Sequence, residues 1–150
     1  MFCTAHDNHY RGLRVALMAF IQWNENFAVQ IDQFDDHHRH LLDLLNKTHN
    51  QVMRHMEKEK LGLVLVELID YAKYHFRAEE VWMKEVGYPK LKQHCSEHHY
   101  FINRVQEMCE DYNNGNTALA QELLSFMKNW LSSHILGTDR EYSRFIESKS

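Results

Sequence analysis

Apolar residues recur every three to four positions along most of this chain, the spacing of one buried helical face, and strict strand-like alternation is absent. Ahead of the periodic stretches, residues 19–33 (AFIQWNENFAVQIDQ) are aromatic and irregular and read as a packed arm. Asp35 stands where a helix N-cap belongs, and the first helix is expected from about Asp36 to about His55. The second begins in the solvated E-K-E-K at 57–60, runs through Leu63, Val66, Leu68, Ile69, Tyr71, Ala72 and His75, and ends near Val86. Gly87 suits that helix end and Pro89 the first turn of the next. The third runs from about Pro89 to about Asp111, with Leu91, His94, His98, Phe101, Ile102 and Val105 on one face. After the turn cluster Asn113-Asn114-Gly115-Asn116, the fourth starts near Thr117 and carries Leu119, Leu123, Leu124, Phe126, Met127, Trp130, Leu131 and His134. Four helices with short connections imply an all-α, up-down-up-down antiparallel bundle with an irregular N-terminal arm.

Composition supports this and narrows the function. A chain of 150 residues, 44% hydrophobic and 25% charged, is enough for one domain with a sizeable core. One proline and five glycines favour long helices. Residues 18–150 are read as that domain. Residues 1–17 show no clean period and no cleavage signature, and are expected to be a poorly ordered extension ahead of Met18. The net charge of −4 and the lack of a basic block argue against nucleic acid, and no apolar run is long enough for a membrane span. Cys3, Cys95 and Cys109 form no C-x-x-C pair and no disulfide framework, which favours a reducing cytoplasm.

The twelve histidines are the unusual feature. Positions i and i+4 share a helical face, so His75 pairs with Glu79 and His94 with His98. On the first helix, the positions four before and three, four and seven after His38 are Phe34, Leu41, Leu42 and Leu45, all apolar. The apolar stripe therefore selects His38 and turns His37 and His40 toward water. His99 is turned away from His98, and His6, His9, His49 and His55 have no partner at ligand spacing and read as solvent-facing. On the fourth helix, His134 and Asp139 are five apart, about 140° around a regular helix; a π-bulge or a broken turn at Gly137 would bring them together. The inward set is then His38, His75, Glu79, His94, His98, His134 and Asp139. Seven side chains exceed the four of a tetrahedral zinc site and suit two six-coordinate metals bridged by the two carboxylates.

This pattern, H…H-x-x-x-E…H-x-x-x-H…H-x-x-x-x-D, resembles that of the hemerythrin family, specifically its single-domain bacterial members. Flanking features agree over about residues 21–147: Trp23, F-D-D-H-H in place of the usual I-D-x-Q-H, Asn46, H-F-x-x-E-E-x-x-M at 75–83, Tyr88-Pro89 and W-L-x-x-H-I at 130–135. The resemblance implies two non-haem irons with an oxo or hydroxo bridge. His94, His98 and His134 would hold one, His38 and His75 the other, and Glu79 and Asp139 would bridge them. The two-histidine iron would keep an open position for dioxygen, giving reversible oxygen storage, transport or delivery in the cytoplasm, with a protein partner for delivery or re-reduction. Leu41, Phe76, Trp130, Leu131 and Ile135 are expected to line an oxygen pocket that excludes water. Glu80, Glu97 and Asp70 are candidates to orient the metal-bound imidazoles through the far nitrogen, but read first as solvated surface carboxylates. The rival functions are a di-iron oxidoreductase acting on peroxide or nitric oxide, and an oxygen or redox sensor. The ligand types favour binding over oxygen activation, since oxygen-activating bundles use E-x-x-H motifs and more carboxylates. The oxidoreductase is further disfavoured by the lack of a flavin or rubredoxin-like segment, and the sensor because family sensors are usually fused to an output domain.

Overall fold

The computed structural model describes residues 19–55, 57–116 and 119–150, so the extension expected over residues 1–17 lies outside the described residues. Four helical rods follow in order: α1 (Asp32–Met53), α2 (Lys58–Glu85), α3 (Leu91–Asn113) and α4 (Leu119–Ser133). The last continues without a break through a π-helical turn, His134–Asp139, into α5 (Arg140–Glu147). Each rod packs on its sequence neighbours, and α1 closes against α4. The result is a four-helix bundle, with no strand among the described residues.

The helix ends follow local chemistry. At the α2–α3 turn, Gly87 adopts φ +70°, a conformation a Cβ penalises. There Tyr88 N–H donates to Met83 O (2.9 Å) and Gly87 N–H to Lys84 O (3.2 Å), the paired bonds of a Schellman stop. At the start of α1 the expectation needs correcting. The helix begins one turn earlier than Asp36, and Asp35 lies inside its first turn rather than at its cap. The Asp35 carboxylate instead reaches back to accept from the Val29 backbone N–H at 2.7 Å, while Ser143 Oγ donates to Val29 O at 2.6 Å. The arm is pinned again where the Asn46 side chain accepts from Ile21 N–H (2.9 Å) and donates to Ile21 O (2.8 Å).

The core is divided in two. A large apolar cluster includes Leu41, Leu45, Leu68, Phe76, Phe101, Met127, Leu131 and Ile135. A smaller one joins Val29, Phe34, Met83, Tyr88 and Tyr142. On every rod a buried polar residue interrupts the stripe between these clusters: His38 between Phe34 and Leu41, Glu79 between Phe76 and Met83, His94 and His98 before Phe101, and His134 to Asp139 between Leu131 and Tyr142. A polar layer thus crosses the bundle at a single level, sealed by hydrocarbon on both sides.

Candidate metal centre

Burying so many ionisable groups costs free energy unless they are paired or hold a cation. All seven are buried, none more than 3% exposed. Their donor atoms fall into two groups: Glu79, His94, His98, His134 and Asp139 in one, and His38, His75, Glu79 and Asp139 in the other. Both carboxylates belong to both groups, each with its oxygens divided between them. Glu79 Oε1 lies 3.2 Å from His75 Nε2 and 3.7 Å from His38 Nε2, while Oε2 lies 3.2 Å from His98 Nε2 and 3.6 Å from His94 Nε2. Asp139 Oδ2 is 3.1 Å from His38 Nε2, and Oδ1 is 3.1 Å from both His94 and His134 Nε2.

These contacts are too crowded to be satisfied by protons. His134 Nε2 lies 3.0 Å from His98 Nε2 and 3.2 Å from His94 Nε2, and an imidazole nitrogen cannot donate to all of these neighbours at once. His38 Nε2, Glu79 Oε2 and both Asp139 oxygens are buried without an aligned hydrogen-bond partner, each an orphan worth about 1–3 kcal/mol. Donors around a six-coordinate ion with bonds of about 2.1 Å stand about 3.0 Å apart, against about 3.4 Å around a tetrahedral one. The 3.0–3.2 Å separations among His94, His98, His134 and Asp139 match the first. The donor set therefore fits two cations that share two carboxylates, and it is unequal: three imidazoles on one side, two on the other.

The π turn makes this convergence possible. His134 and Asp139 are its first and last residues, and the wider turn carries the fifth residue back beneath the first. Beyond it, Tyr142 reaches across the bundle and its hydroxyl donates to Glu79 Oε1 at 2.7 Å.

The far nitrogens of the imidazoles correct three expectations. Glu80 and Glu97 are not merely surface carboxylates: Glu80 Oε1 accepts from His98 Nδ1 and Glu97 Oε2 from His134 Nδ1, both at 2.9 Å. Thr138 Oγ1 donates to the same Glu97 oxygen at 2.8 Å. Nor does His37 face water: it is 8% exposed and its Nδ1 lies 3.0 Å from His75 Nδ1. Asp70, His40, His55 and His99 are exposed as read, whereas His49 is half-buried and stacked on Phe20 at 4.1 Å. Cys95 and Cys109 are free thiols. Of the apolar wall, Leu41, Phe76, Leu131 and Ile135 are buried; Phe76 stacks on His98 at 3.9 Å, and half-buried Trp130 stacks on His134 at 4.4 Å.

Charge is held tightly in this layer. Burial alone would push the His38 and His94 imidazoles down, but the Asp139 and Glu79 carboxylates lift both to about 9. Burial likewise opposes charge on His134, and Asp139, Glu97 and Glu79 overcome it, raising the group to about 10. Burial would also raise Glu79 and Asp139, yet the surrounding imidazoles hold both carboxyls well below their ordinary values. At His75 burial prevails and lowers the pKa despite Glu79. The linkage sign follows for metal-free protein. The raised imidazoles contribute stability that is complete below their ordinary 6.5 and is lost as pH rises through about 9 to 10. The depressed carboxyls and His75 contribute stability present above their ordinary values and lost as pH falls below them. Chelator-treated protein should therefore melt highest at about pH 6 to 7 and lose stability on both sides. A melting temperature still climbing from pH 8 to 10 would contradict the ion pairing.

The comparisons agree with this geometry. The family model for the hemerythrin HHE cation binding domain matches residues 29–146. A bacteriohemerythrin of Clostridium acetobutylicum is 35% identical over 124 residues, 80% of this chain and 96% of the relative. One from Stenotrophomonas maltophilia is 34% identical over 131 residues, covering 87% and 84%. The crystal structure of wild-type hemerythrin superposes with a TM-score of 0.77 at 27% identity, over 84% of this chain and 97% of that one. A leucine-to-alanine variant of hemerythrin gives 0.78, also at 27% identity, over 85% and 97%.

Proposed function

The chain belongs to the hemerythrin family, and on that premise we propose that it binds dioxygen reversibly at a non-haem di-iron centre. His94, His98 and His134 would hold one iron and His38 and His75 the other, and the shared carboxylates Glu79 and Asp139 would serve both, with an oxo or hydroxo group expected beside them. When bound, the iron pair supplies the electrons that dioxygen takes up and returns. The observation that carries this reading is the unequal division of donors, since the side with only two imidazoles has room for an added ligand.

The remaining residues suit binding better than turnover. Tyr142 donates to the Glu79 oxygen that faces the two-histidine side and fixes the orientation of that carboxylate. Leu41, Leu131 and Ile135 close the layer with hydrocarbon, which keeps out water and stray protons. Five imidazoles against two carboxylates is also a poorer anionic set than the carboxylate-rich bundles that activate oxygen. The curated relatives carry the name bacteriohemerythrin. No helix among the described residues is long and apolar enough to cross a membrane. The role proposed is storage, transport or delivery of oxygen in the cytoplasm, with a protein partner for delivery or re-reduction.

An anaerobic iron count, then spectra through repeated cycles of air and argon, tests the proposal. Two irons per chain and a spectrum that appears in air and vanishes in argon are expected; sustained consumption of peroxide by the reduced protein would replace oxygen binding with catalysis. His75→Ala should leave about one iron per chain and no oxygen-dependent spectrum. A variant still holding two irons tightly would remove His75 from the site.

A further inference from the structure

Three of the five inward imidazoles have a side-chain partner at the far nitrogen, and these partners differ in charge. His98 and His134, on the three-histidine side, each meet a carboxylate at 2.9 Å, Glu80 and Glu97. His75, on the two-histidine side, meets a second imidazole: His37 Nδ1 lies 3.0 Å from His75 Nδ1, the ring planes 84° apart. Phe34, Tyr71 and Tyr74 enclose His37, which immediately precedes His38 on α1. A single helical turn therefore offers one donor to the centre and a brace for another.

An imidazole that binds a metal through Nε2 carries its proton on Nδ1. His37 can accept that proton's hydrogen bond only through an unprotonated Nδ1, as a neutral ring with its own proton on Nε2. We propose that His37 is a positioning residue that orients His75 through a neutral acceptor, leaving the two-histidine side without the outer carboxylate charge present on the other side. The inference rests on the di-iron reading above. A carboxylate partner draws the Nδ1 proton toward itself, makes the ring a stronger donor and favours the oxidised metal. A neutral ring fixes the same tautomer and the same orientation without that bias. A metal held on the two-histidine side would thereby be easier to keep in, or return to, its reduced state.

The test compares the full chain with H37L, which offers no acceptor, H37Q, which offers a neutral one, and H37E, which offers a charged one. Each is loaded with zinc, the metal content and the rate of stripping by a chelator are measured, and the His75 ring is read by its nitrogen chemical shifts. The midpoint potential is measured on the iron-loaded proteins. In the parent chain the His75 proton is expected on Nδ1. H37L should lose metal from one of the two sites about 10- to 100-fold faster, and H37Q should stay within about threefold of the parent. H37E should hold metal as well as the parent and show a lower midpoint potential. Native stripping rates in H37L, stripping in H37Q as fast as in H37L, or an unchanged potential in H37E would overturn the inference. A parent chain that binds no metal pair would strike the di-iron reading itself, whereas a loaded parent indifferent to position 37 would strike only this inference.

Discussion

Replacing Asp139 with asparagine should empty both halves of the centre together, taking bound iron to well below one per chain and abolishing the oxygen-dependent spectrum. Asp139 is fully buried, and it alone sets one oxygen 3.1 Å from His38 and the other 3.1 Å from both His94 and His134. Asparagine preserves the shape but removes one of only two negative charges that face the cations. It also turns an amide N–H₂ toward nitrogens that must offer lone pairs. Ligand removal at His75 takes a donor from one metal; at Asp139 it takes a donor from each and the charge from both. The fold should survive. Removing one partner of a buried pair costs about 3–5 kcal/mol when the other charge is trapped, but His38, His94 and His134 can shed their protons once the carboxylate is gone, so the loss is smaller than that range. Iron analysis beside a thermal melt separates the two effects. Two retained irons would show that Asp139 does not bridge, and an unfolded variant would show that the carboxylate is needed for the bundle itself.

How far such a site can be read from a chain depends on whether each contact leaves a periodic trace. His38 left one, because its neighbours at helical spacing are Phe34, Leu41, Leu42 and Leu45, all now buried. The spacing of His134 and Asp139 left another by its conflict: five residues do not align on an α-helix, and the chain resolves this with a π turn over those residues. His37 left none. It stands about 100° from the core line, which usually means solvent, yet the α1–α2 seam closes over it because Tyr71, Tyr74 and His75 project from α2 at the same level. Glu80 and Glu97 each adjoin a ligand in sequence, and their partners are on another helix, 18 and 37 positions away. Tyr142 is plainly one turn past Asp139, but nothing local says that its hydroxyl finds Glu79, 63 positions earlier. The donors that face the centre were thus legible from helical geometry, while the groups that orient them depend on how the rods are rotated against one another. Asp35 is a smaller instance: it has the composition of a cap, and only the path of the arm shows that it bonds Val29 from within the first turn.

The π turn permits a sharper experiment, in which removing a residue should do less harm than adding one. With about 4.4 residues per turn, five π-helical steps bring Asp139 to within about 50° of His134 around the axis. In a regular helix four steps give about 40°. Deleting Gly137 should therefore convert the bulge into ordinary helix and leave the aspartate where it was, with Thr138 still beside it to reach Glu97. Gly137 is exposed, so its removal uncovers no core. Inserting one alanine after Gly137 has the opposite effect, because the extra step swings the carboxylate about 100° off the centre and turns Tyr142 away from Glu79. The deletion variant should keep metal and melt no lower than the parent, whereas the insertion variant should bind almost none. Should the deletion lose the metal while the insertion keeps it, the turn would not be the device that aims Asp139, and the alignment of His134 with Asp139 would need another cause.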